Sequence, residues 1–441
     1  MVAVSGFPEF LPAGRLVELR ALDILRAQFE LHGFANIATR SLEPLAELSR
    51  KGEITKEIYA VRRLHADEGT ADEWGLHFDL TVPFARYVLD NAGRLSFPFR
   101  RYQIQPAWRG ERPQQGRYRE FWQADIDIVG DGQLAFHHDI EVALVMLEAC
   151  ARLREEFGIP EVLMRVNNRK LIEGFYSGLG VTQPLPVIQI VDKLPKIGAA
   201  GVSAMLQESG LDAAQVNRIL EFAAIDTPDF AGRIRALGAT NDLLEQGIAE
   251  TEQLLAGLTT RFPHNVVVDC KIARGLDYYT GSVFELELVG WEALGTISAG
   301  GRYDSLATAG QHTYPGVGIS FGVTRVFAPL ISGGRLTGSR PVPSVVLVAV
   351  DSEPDRGRAD AVALALRQRG IACEVSPTAD KYGKQIRFAD RRGIPYVWFG
   401  GLTGEVKDIR SGDQTVATAD TWAPVDGAVR INRLDAADVV K

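Results

Sequence analysis

The chain has 441 residues, of which 46% are hydrophobic and 24% are charged, and these values are ordinary for a globular protein of two or three domains. Its formal net charge of −8 argues against a general polyanion-binding protein, although a local basic face could still contact RNA. The three cysteines are far apart and show no metal-binding spacing, which favours a reducing compartment over a disulfide framework. The N-terminus lacks the pattern of a signal peptide, and the apolar runs are too short to span a bilayer, so we expect a cytoplasmic protein.

The first part of the chain mixes helical and strand patterns. Residues 14–33 repeat apolar residues at helical spacing and end at a glycine, which predicts an amphipathic helix. Short strands are predicted near residues 37–40 and 76–79. Two alternating runs within residues 99–130 flank a polar loop and predict an antiparallel hairpin. A helix over residues 139–157 and a strand over residues 161–166 follow.

The middle of the chain changes character. Helical patterns separated by Gly and Pro predict a helical insertion over residues 178–262. Further strands are predicted at residues 265–270, 282–288 and 295–299, and the glycine-rich start of segment 316–330 is predicted to begin a helix. The Gly, Ser and Pro content of residues 331–344 predicts a linker. Beyond it strands and helices alternate, which predicts a small α/β unit with a mostly parallel sheet.

Arginines are concentrated in the predicted hairpin. An arginine at a strand end is costly to bury unless it holds an anion, so the hairpin predicts a phosphate-bearing ligand. A hairpin with solvated surface charges is the alternative from these residues alone. Arg109 has a planar fork that could bridge a carboxylate and a phosphate. Gln123, Asp125 and Asp127 alternate onto one face and could meet a polar or cationic ligand.

Three other segments carry candidate chemistry. Asp79 and Thr81 would share one face of the predicted strand and could grip an ammonium group, although an aspartate at a strand end is also typical of a turn cap. A loop containing an arginine and two tyrosines spans residues 273–281. Residues 298–304 and 316–325 contain glycines that permit close backbone approach to a ligand. Their spacing gives neither a Rossmann nor a Walker fingerprint.

Taken in order, these segments resemble the histidyl-tRNA synthetase family of class II aminoacyl-tRNA synthetases. The hairpin is similar to motif 2, with Arg109 as its defining arginine, and residues 316–325 are similar to motif 3. Residues 274–281 and 299–304 resemble the two histidine-specific signature peptides. The helix over residues 14–33 falls where motif 1 builds the dimer interface, and segments 380–393 and 405–414 resemble the anticodon-binding domain.

The resemblance implies a two-step reaction: ATP activates L-histidine to histidyl-adenylate, with Mg²⁺ offsetting phosphate charge, and the histidyl group then passes to the 3′ end of tRNA(His). It implies that Arg109 and Arg274 are catalytic. It implies that histidine is bound by Asp79, Thr81, Gln123, Asp127, Tyr279 and Tyr303. It implies that ATP is bound by Arg109, Glu111, Arg117, Phe121 and Arg325. Arg112 and Gln114 would contact the tRNA acceptor end, and no protein side chain is assigned as a metal ligand.

The implied fold is an α+β catalytic domain, whose antiparallel sheet of six or seven strands is flanked by helices, with a helical insertion and a C-terminal α/β anticodon-binding domain. The expected boundaries are residues 1–177 and 263–330 for the two parts of the catalytic domain, 178–262 for the insertion, 331–344 for the linker and 345–441 for the C-terminal domain.

Several partners follow from the same resemblance. A homodimer is expected because the motif 1 helix would otherwise expose its apolar stripe. Neither a membrane nor DNA is expected as a partner. The C-terminal domain would contact tRNA through a basic helix face, with a merely solvated face as the alternative, and the basic residues are Lys381, Lys384, Arg387, Arg391 and Arg392.

Two other classes of function stay open at this point. One is a catalytically silent, histidine-sensing paralogue, such as the regulatory subunit of ATP phosphoribosyltransferase, which lacks the anticodon-binding domain. The other is a general RNA-binding or regulatory domain of synthetase origin, which would not need a histidine pocket together with ATP-binding arginines. Asp79 and Asp127 stand where many bacterial members have Glu, and in this respect the chain is similar to the archaeal and eukaryotic branch.

Overall fold

The computed structural model describes residues 4–49, 56–65, 73–114, 116–272 and 278–433. The chain divides into two compact units, one built on Ala21–Pro329 and the other on Glu9–Arg20 together with Leu330–Val439. Over the described residues, every helix is too short or too polar to cross a bilayer.

Most of the strands and helices up to Ser332 belong to the larger unit. The strands are β1 (Ala35–Asn36), β2 (Leu42–Pro44), β3 (Ala60–Val61), β4 (Trp74–Leu76), β5 (Phe99–Trp108), β6 (Glu120–Val129), β7 (Val162–Asn168), β8 (Val266–Val268), β9 (Ser282–Leu288), β10 (Ser298–Tyr303), β11 (Thr308–Ala309), β12 (His312–Thr313) and β13 (Gly316–Gly322). The helices are α1 (Pro12–Leu31), α2 (Leu45–Leu48), α3 (Thr81–Asn91), α4 (His137–Phe157), α5 (Arg169–Gly178), α6 (Pro184–Val191), α7 (Leu194–Glu208), α8 (Ala213–Ala223), α9 (Phe230–Ala236), α10 (Asp242–Thr259) and α11 (Val323–Ser332).

An eight-stranded sheet forms the centre of the larger unit, in the order β1-β5-β6-β13-β10-β9-β7-β8. The six strands from β5 to β7 pair antiparallel with one another. The short strands β1 and β8 add a parallel pair at each edge. The α+β fold with a largely antiparallel sheet is therefore confirmed, and the parallel edges make the sheet mixed.

Helix α1 agrees with the predicted helix to within two residues at each end. Most of its apolar side chains are buried, although Leu19 and Leu31 are exposed. Val17, Ala21, Leu22, Leu25 and Phe29 are all buried within the single chain. The buried part of the stripe needs no partner to cover it, so these five residues supply no argument for a dimer.

Two of the predicted strands are also wrong. Residues 37–40 form no strand, and the edge pairing is made by Ala35–Asn36 instead. The strand predicted at residues 76–79 ends at Leu76, and Thr81 begins helix α3. Pro83 suits the first helical turn, and Oδ1 of Asp79 accepts a hydrogen bond from the Val82 N–H over 3.1 Å. These two features start a helix where the alternating pattern predicted a strand.

The glycine-rich segment was predicted to begin a helix, but Gly316–Gly322 is strand β13, and α11 starts only at Val323. Strand β13 lies between β6 and β10 and pairs with both. A central strand offers hydrogen-bond partners along both edges, and this pairing outweighs the low strand propensity of glycine.

Helix α10 lies between the sheet and helices α5 to α9. It packs against α5, and it also contacts α4, β7 and β8. The crossing with α5 is made by glycines, since a Cβ on Gly174 would lie 2.6 Å from Cα of Leu244, and one on Gly247 would lie 2.6 Å from Cα of Leu171. At the end of α5, a Cβ on Gly178 would lie 3.2 Å from the backbone nitrogen of Thr240.

The second unit contains a mixed five-stranded sheet, formed in spatial order by residues 373–375, 346–348, 396–400, 403–408 and 414–418, whose first three strands are parallel. Val346, Val348 and Trp398 form its core with Val362 and Leu366. Residues 336–338, inside the predicted linker, form a strand that pairs with residues 431–433. The elements are β14 (Leu336–Gly338), β15 (Val346–Val348), α12 (Arg356–Gln368), β16 (Cys373–Val375), α13 (Tyr382–Arg391), β17 (Tyr396–Gly400), β18 (Thr403–Asp408), β19 (Gln414–Thr418) and β20 (Ile431–Arg433).

Candidate active site

A cavity of about 270 Å³ opens in the larger unit where the β5–β6 hairpin, the start of α3 and strands β10 and β13 meet. Residues from five separate segments of the sequence line it. Among those predicted as site residues, the lining includes Asp79, Thr81, Arg109, Glu111, Arg117, Phe121, Gln123, Tyr279 and Arg325.

A second, deeper cavity of about 20 Å³ continues from the first. The two cavities share several lining residues, among them Thr81 and Tyr279. Asp127 and Tyr303 line the deeper one. The structure therefore places all the candidate histidine-binding residues around two adjoining spaces.

Three predicted residues are not part of this lining. Arg112 and Gln114 are exposed on the hairpin loop, away from both cavities. Arg274 lies outside the described residues.

Arg109 is held in place while part of its guanidinium group is left available. Its Nε–H donates to the carbonyl oxygen of Phe78 over 3.0 Å, and its guanidinium carbon lies 5.1 Å from the centroid of the Phe121 ring. Among the residues that the structure describes, no carboxylate pairs with Arg109. Its terminal nitrogens are therefore suited to bind an anion in the cavity.

Arg117 and Arg325 add positive charge to the same cavity. Nε of Arg325 donates to the carbonyl oxygen of Leu294 over 2.9 Å, which fixes the side chain at the start of α11. Arg117 pairs with Glu111 over 3.2 Å. With Arg109, these residues give the cavity a cationic character that suits a polyphosphate.

Two side chains offer acceptors for an ammonium group. Gln123 donates its amide N–H to the hydroxyl of Ser320 over 2.8 Å. Its Oε1 is buried and has no hydrogen-bond partner among the described residues. Asp79 contributes a carboxylate to the same lining. An amide oxygen beside a carboxylate is an arrangement that binds a primary ammonium group.

The deep end is organised around Asp127. Tyr303 donates its hydroxyl proton to Oδ1 of Asp127 over 2.6 Å, and Arg101, which is 0% exposed, pairs with Oδ2 over 2.6 Å. Tyr303 lies on β10 and Asp127 on β6, with β13 between them. Gly316 leaves room for the Tyr303 ring, since a Cβ there would lie 2.6 Å from Cζ. Burial and the negative charge of Asp127 raise the pKa of Tyr303 well above its ordinary value, so this phenol stays protonated and acts as a donor.

Ser320 and Ser298 also line the larger cavity, although the sequence does not predict either as a site residue. Ser298 is buried, and its hydroxyl has no partner within the described ranges. Ser320 alternates with Gly316 and Gly318 along β13 and so shares their face. Once β13 is known to be a strand, that alternation identifies Ser320 as a residue of the cavity.

The described parts of the chain contain no cluster of three or more His, Cys, Asp or Glu side chains that could hold a metal ion.

In the second unit, α13 carries a basic surface. Lys381, Lys384, Arg387 and Arg391 are exposed. A groove of about 640 Å³ runs beside this helix, and Lys384, Arg387 and Arg391 line it. This surface has the charge that a nucleic-acid phosphate backbone requires.

Sequence comparisons agree with this division of the chain. Residues 6–326 match the family model described as histidyl-tRNA synthetase. Residues 344–422 match the model described as an anticodon binding domain.

Individual relatives match over nearly the full chain. The "Histidine--tRNA ligase" of Cutibacterium acnes is 57% identical over 435 residues, which cover 96% of this chain and 96% of that protein. The protein of the same name from Micrococcus luteus is 52% identical, again with 96% of each chain covered.

Among solved structures, the histidyl-tRNA synthetase from Nostoc sp. PCC 7120 superimposes with a TM-score of 0.81 at 33% identity, and 95% of this chain and 97% of that chain are covered. The matched motifs, the fold and the full-length relatives lead to one conclusion. The chain belongs to the histidyl-tRNA synthetase family of class II aminoacyl-tRNA synthetases.

Proposed function

We propose that this protein joins L-histidine to tRNA(His) in two steps within the cavity described above. In the first step a carboxylate oxygen of histidine attacks the α-phosphorus of ATP, the bond to the bridging oxygen breaks, and pyrophosphate leaves. In the second step a ribose hydroxyl at the 3′ end of the tRNA attacks the activated carbonyl carbon, and AMP leaves.

The observation that carries this proposal is the distribution of charge around the two cavities. Both reactants of the first step are anionic where they must meet, so the reaction needs fixed cations. Arg109 would hold the histidine carboxylate against the α-phosphate, and Arg325 would bind the terminal phosphates. Arg274 would stabilise the charge that develops on the pentacovalent phosphorus.

ATP would lie at the hairpin side of the larger cavity. Phe121 offers a ring face for the adenine, and Arg117 and Glu111 are candidates for contacts with the nucleotide. Histidine would extend the other way, with its ammonium group toward Asp79, Thr81 and Gln123. Its ring would then point toward the deep cavity, where Tyr279, Tyr303 and Asp127 lie.

The donor set around this cavity fits an ion that arrives with its substrate. Mg²⁺ is commonly held by one or two carboxylates together with phosphate oxygens and water. Glu111 is the carboxylate of the lining nearest in sequence to the ATP-binding arginines, and we propose that it faces such an ion directly or through water. When bound, Mg²⁺ would neutralise part of the triphosphate charge.

The remaining partners extend the same proposal. The basic surface of α13 would bind tRNA, and Arg112 and Gln114 on the exposed hairpin loop would contact its acceptor end. We also propose a homodimer. This proposal rests on the family resemblance alone, since most apolar side chains of α1 are already buried within the chain. A protein that charges tRNA for translation is expected in the cytoplasm.

A histidine-sensing paralogue is the alternative from another class of function. It would keep the deep cavity but would have no use for Arg109 and Arg325 at the phosphate end. The match to an anticodon binding domain over residues 344–422 and the full-length relatives both favour the ligase.

The test is ATP–pyrophosphate exchange measured with each amino acid in turn. We expect exchange with histidine alone. Arg109→Lys and Arg274→Ala should each lower its rate by roughly 10²–10³ because each removes a fixed donor to developing charge. Arg94→Ala, an exposed arginine outside the cavity, is the matched control and should leave the rate unchanged.

A sensor would bind histidine, as measured by calorimetry, yet would support no exchange. That result would refute the ligase proposal. An unchanged rate in the Arg274→Ala variant alone would remove only that arginine from the mechanism.

A further inference from the structure

The deep cavity contains a second carboxylate that has no assigned role. Asp125 precedes Asp127 by two residues on β6, so both side chains emerge from the same face of the sheet. Both line the deep cavity, and each is less than 5% exposed. Two acidic groups side by side in a buried space call for an explanation, because each ionised carboxylate is costly to remove from water.

The two carboxylates differ in their partners. Oδ1 of Asp127 accepts a hydrogen bond from the Tyr303 hydroxyl over 2.6 Å, and its Oδ2 forms an ion pair with Arg101 over 2.6 Å. Asp125 lies opposite Ser320 on the neighbouring strand β13. Its Oδ1 is buried and has no hydrogen-bond partner among the described residues.

The charges around Asp125 do not compensate for this missing partner. Arg101 is the nearby cation, and it is already paired with Asp127 and lies over the ring of Phe84 at 4.1 Å. Asp127 and Asp79 add negative charge. One guanidinium group therefore faces several carboxylates, and the deep cavity is suited to a group that brings N–H donors.

We propose that Oδ1 of Asp125 accepts a hydrogen bond from a ring N–H of the bound histidine, and that Asp125 is a specificity-determining residue of this site. The inference rests on the proposed function, in which the histidine ring points toward the deep cavity. Asp127 then holds the Tyr303 hydroxyl in place beside the ring. Apolar amino acids would leave Asp125 without a partner, and a site of this kind rejects them strongly.

The expected consequence is a change in the affinity for histidine that leaves the affinity for ATP unaltered. In Asp125→Asn and Asp125→Ala, the KM for histidine in the exchange reaction should rise by roughly 10- to 100-fold, the usual effect of losing a hydrogen bond to a charged group. The KM for ATP should stay within about twofold, because Asp125 lies in the deep cavity rather than among the phosphate-binding arginines.

A ring analogue separates recognition from a structural role. Thiazolylalanine has a five-membered ring with a nitrogen but no N–H. The wild-type protein should prefer histidine over this analogue in kcat/KM, and the preference should fall by roughly 10-fold or more in the Asp125 variants, because the analogue never had the hydrogen bond to lose. A residue that only supported the fold would lower both values together and leave their ratio unchanged.

Asp131→Asn is the matched control. Asp131 follows β6 and is exposed, and its carboxylate pairs with His312 outside both cavities. Its KM values and its preference should equal those of the wild-type protein.

The outcomes separate this inference from the proposed function. Absence of histidine-dependent exchange in the wild-type protein would overturn both. Normal exchange with an unchanged histidine KM and an unchanged preference in Asp125→Asn would overturn the role of Asp125 alone. If neither variant folds, the wild-type protein still decides: equal use of histidine and thiazolylalanine would refute the inference, and a clear preference for histidine supports it.

Discussion

Tyr303 reaches across strand β13 to donate its hydroxyl proton to Asp127, a residue 176 positions away in the sequence, over 2.6 Å. The side chains can meet because β13 has glycine at the two positions beneath them. Gly316 is opposite Tyr303, and Gly318 is opposite Asp127. A Cβ on Gly318 would overlap the Asp127 carboxylate and would lie 2.7 Å from the carbonyl oxygen of Ile126.

We therefore predict that Gly318→Ala displaces Asp127 and disrupts the deep cavity. The KM for histidine should rise, or kcat should fall, by roughly 10²-fold in total, as is typical when a binding group is misplaced by about 1 Å. The KM for ATP should be nearly unchanged. Steady-state ATP–pyrophosphate exchange at varied histidine and ATP measures both values.

The control for this prediction is Gly93→Ala. Gly93 has a negative φ, and a Cβ there would meet no atom within 4 Å. If Gly318→Ala bound histidine as tightly as Gly93→Ala does, the steric account of β13 would be refuted.

The pH dependence of stability provides a second prediction. Burial raises the pKa of Asp125 to about 7, with Arg101 and Ser320 opposing the shift and Asp127 and Asp79 adding to it. In the unfolded chain an aspartate loses its proton near pH 4. Between these values the folded state binds more protons than the unfolded state, so the contribution of this group to stability falls as the pH rises.

Asp125→Asn removes the ionisable group and should remove this pH dependence. Relative to the wild-type protein, the variant should gain stability between pH 5 and pH 8, and most of the gain should be complete above pH 7. Thermal or urea unfolding without ligand, at four pH values, measures the difference. Parallel stability profiles for the variant and the wild type would contradict the prediction, and Asp131→Asn should give such a parallel profile.

The crossing of α5 and α10 predicts a large effect of one methyl group on stability. In Gly247→Ala the new Cβ would lie 2.6 Å from Cα of Leu171, a backbone atom that cannot rotate away. We expect the variant to lose about 1–3 kcal/mol or more, the usual cost of overpacking a close contact.

Urea unfolding followed by far-ultraviolet circular dichroism measures this loss. Gly93→Ala again serves as the control and should be close to neutral. A Gly247→Ala variant as stable as the wild-type protein would show that the two helices can separate at little cost.

The basic surface of α13 predicts an effect on the second step only. Reversing the charge at Lys384 and Arg387 to Glu should raise the KM for tRNA and should make charging more sensitive to salt, because both residues are exposed beside the groove. Histidine-dependent exchange should be unchanged.

Arg152→Glu, on the exposed side of α4, makes the same kind of charge change in the other unit and should leave the KM for tRNA unaltered. Aminoacylation with radiolabelled histidine at two salt concentrations measures the effect. Equal KM values for the α13 variant and the wild type would exclude this helix from tRNA binding.

Local signals explain what the sequence could predict. The hairpin was predicted because alternation and loop residues lie within residues 99–130, and β5 and β6 pair without a break from Phe99–Val129 to Trp108–Glu120. Arg109 and Arg117 lie within this local pattern, so one wall of the cavity could also be predicted from the sequence.

Non-local contacts explain the rest. Whether Gly316–Gly322 forms a strand depends on pairing with β6 and β10, which no local pattern encodes. The register across β6, β13 and β10 decides which side chains meet in the deep cavity. It brings Tyr303 to Asp127, and it leaves Oδ1 of Asp125 without a hydrogen-bond partner among the described residues. Asp79 was wrongly predicted on a strand. Its carboxylate accepts a hydrogen bond from the Val82 N–H at the start of α3, and this contact can be recognised only once the helix is known.

The glycine contacts along α5 and α10 have a practical consequence for protein engineering. Because Gly178 and Thr240 are neighbours, a peptide of a few residues could join them in place of helices α6 to α9, provided that Phe175 and Tyr176 of α5, which pack on Phe222 of α8, are replaced by polar residues. Helix α10 could not be removed with them, since it covers β7 and β8 and its loss would leave that side of the sheet open to water. A minimal catalytic fragment should therefore keep residues 242–259.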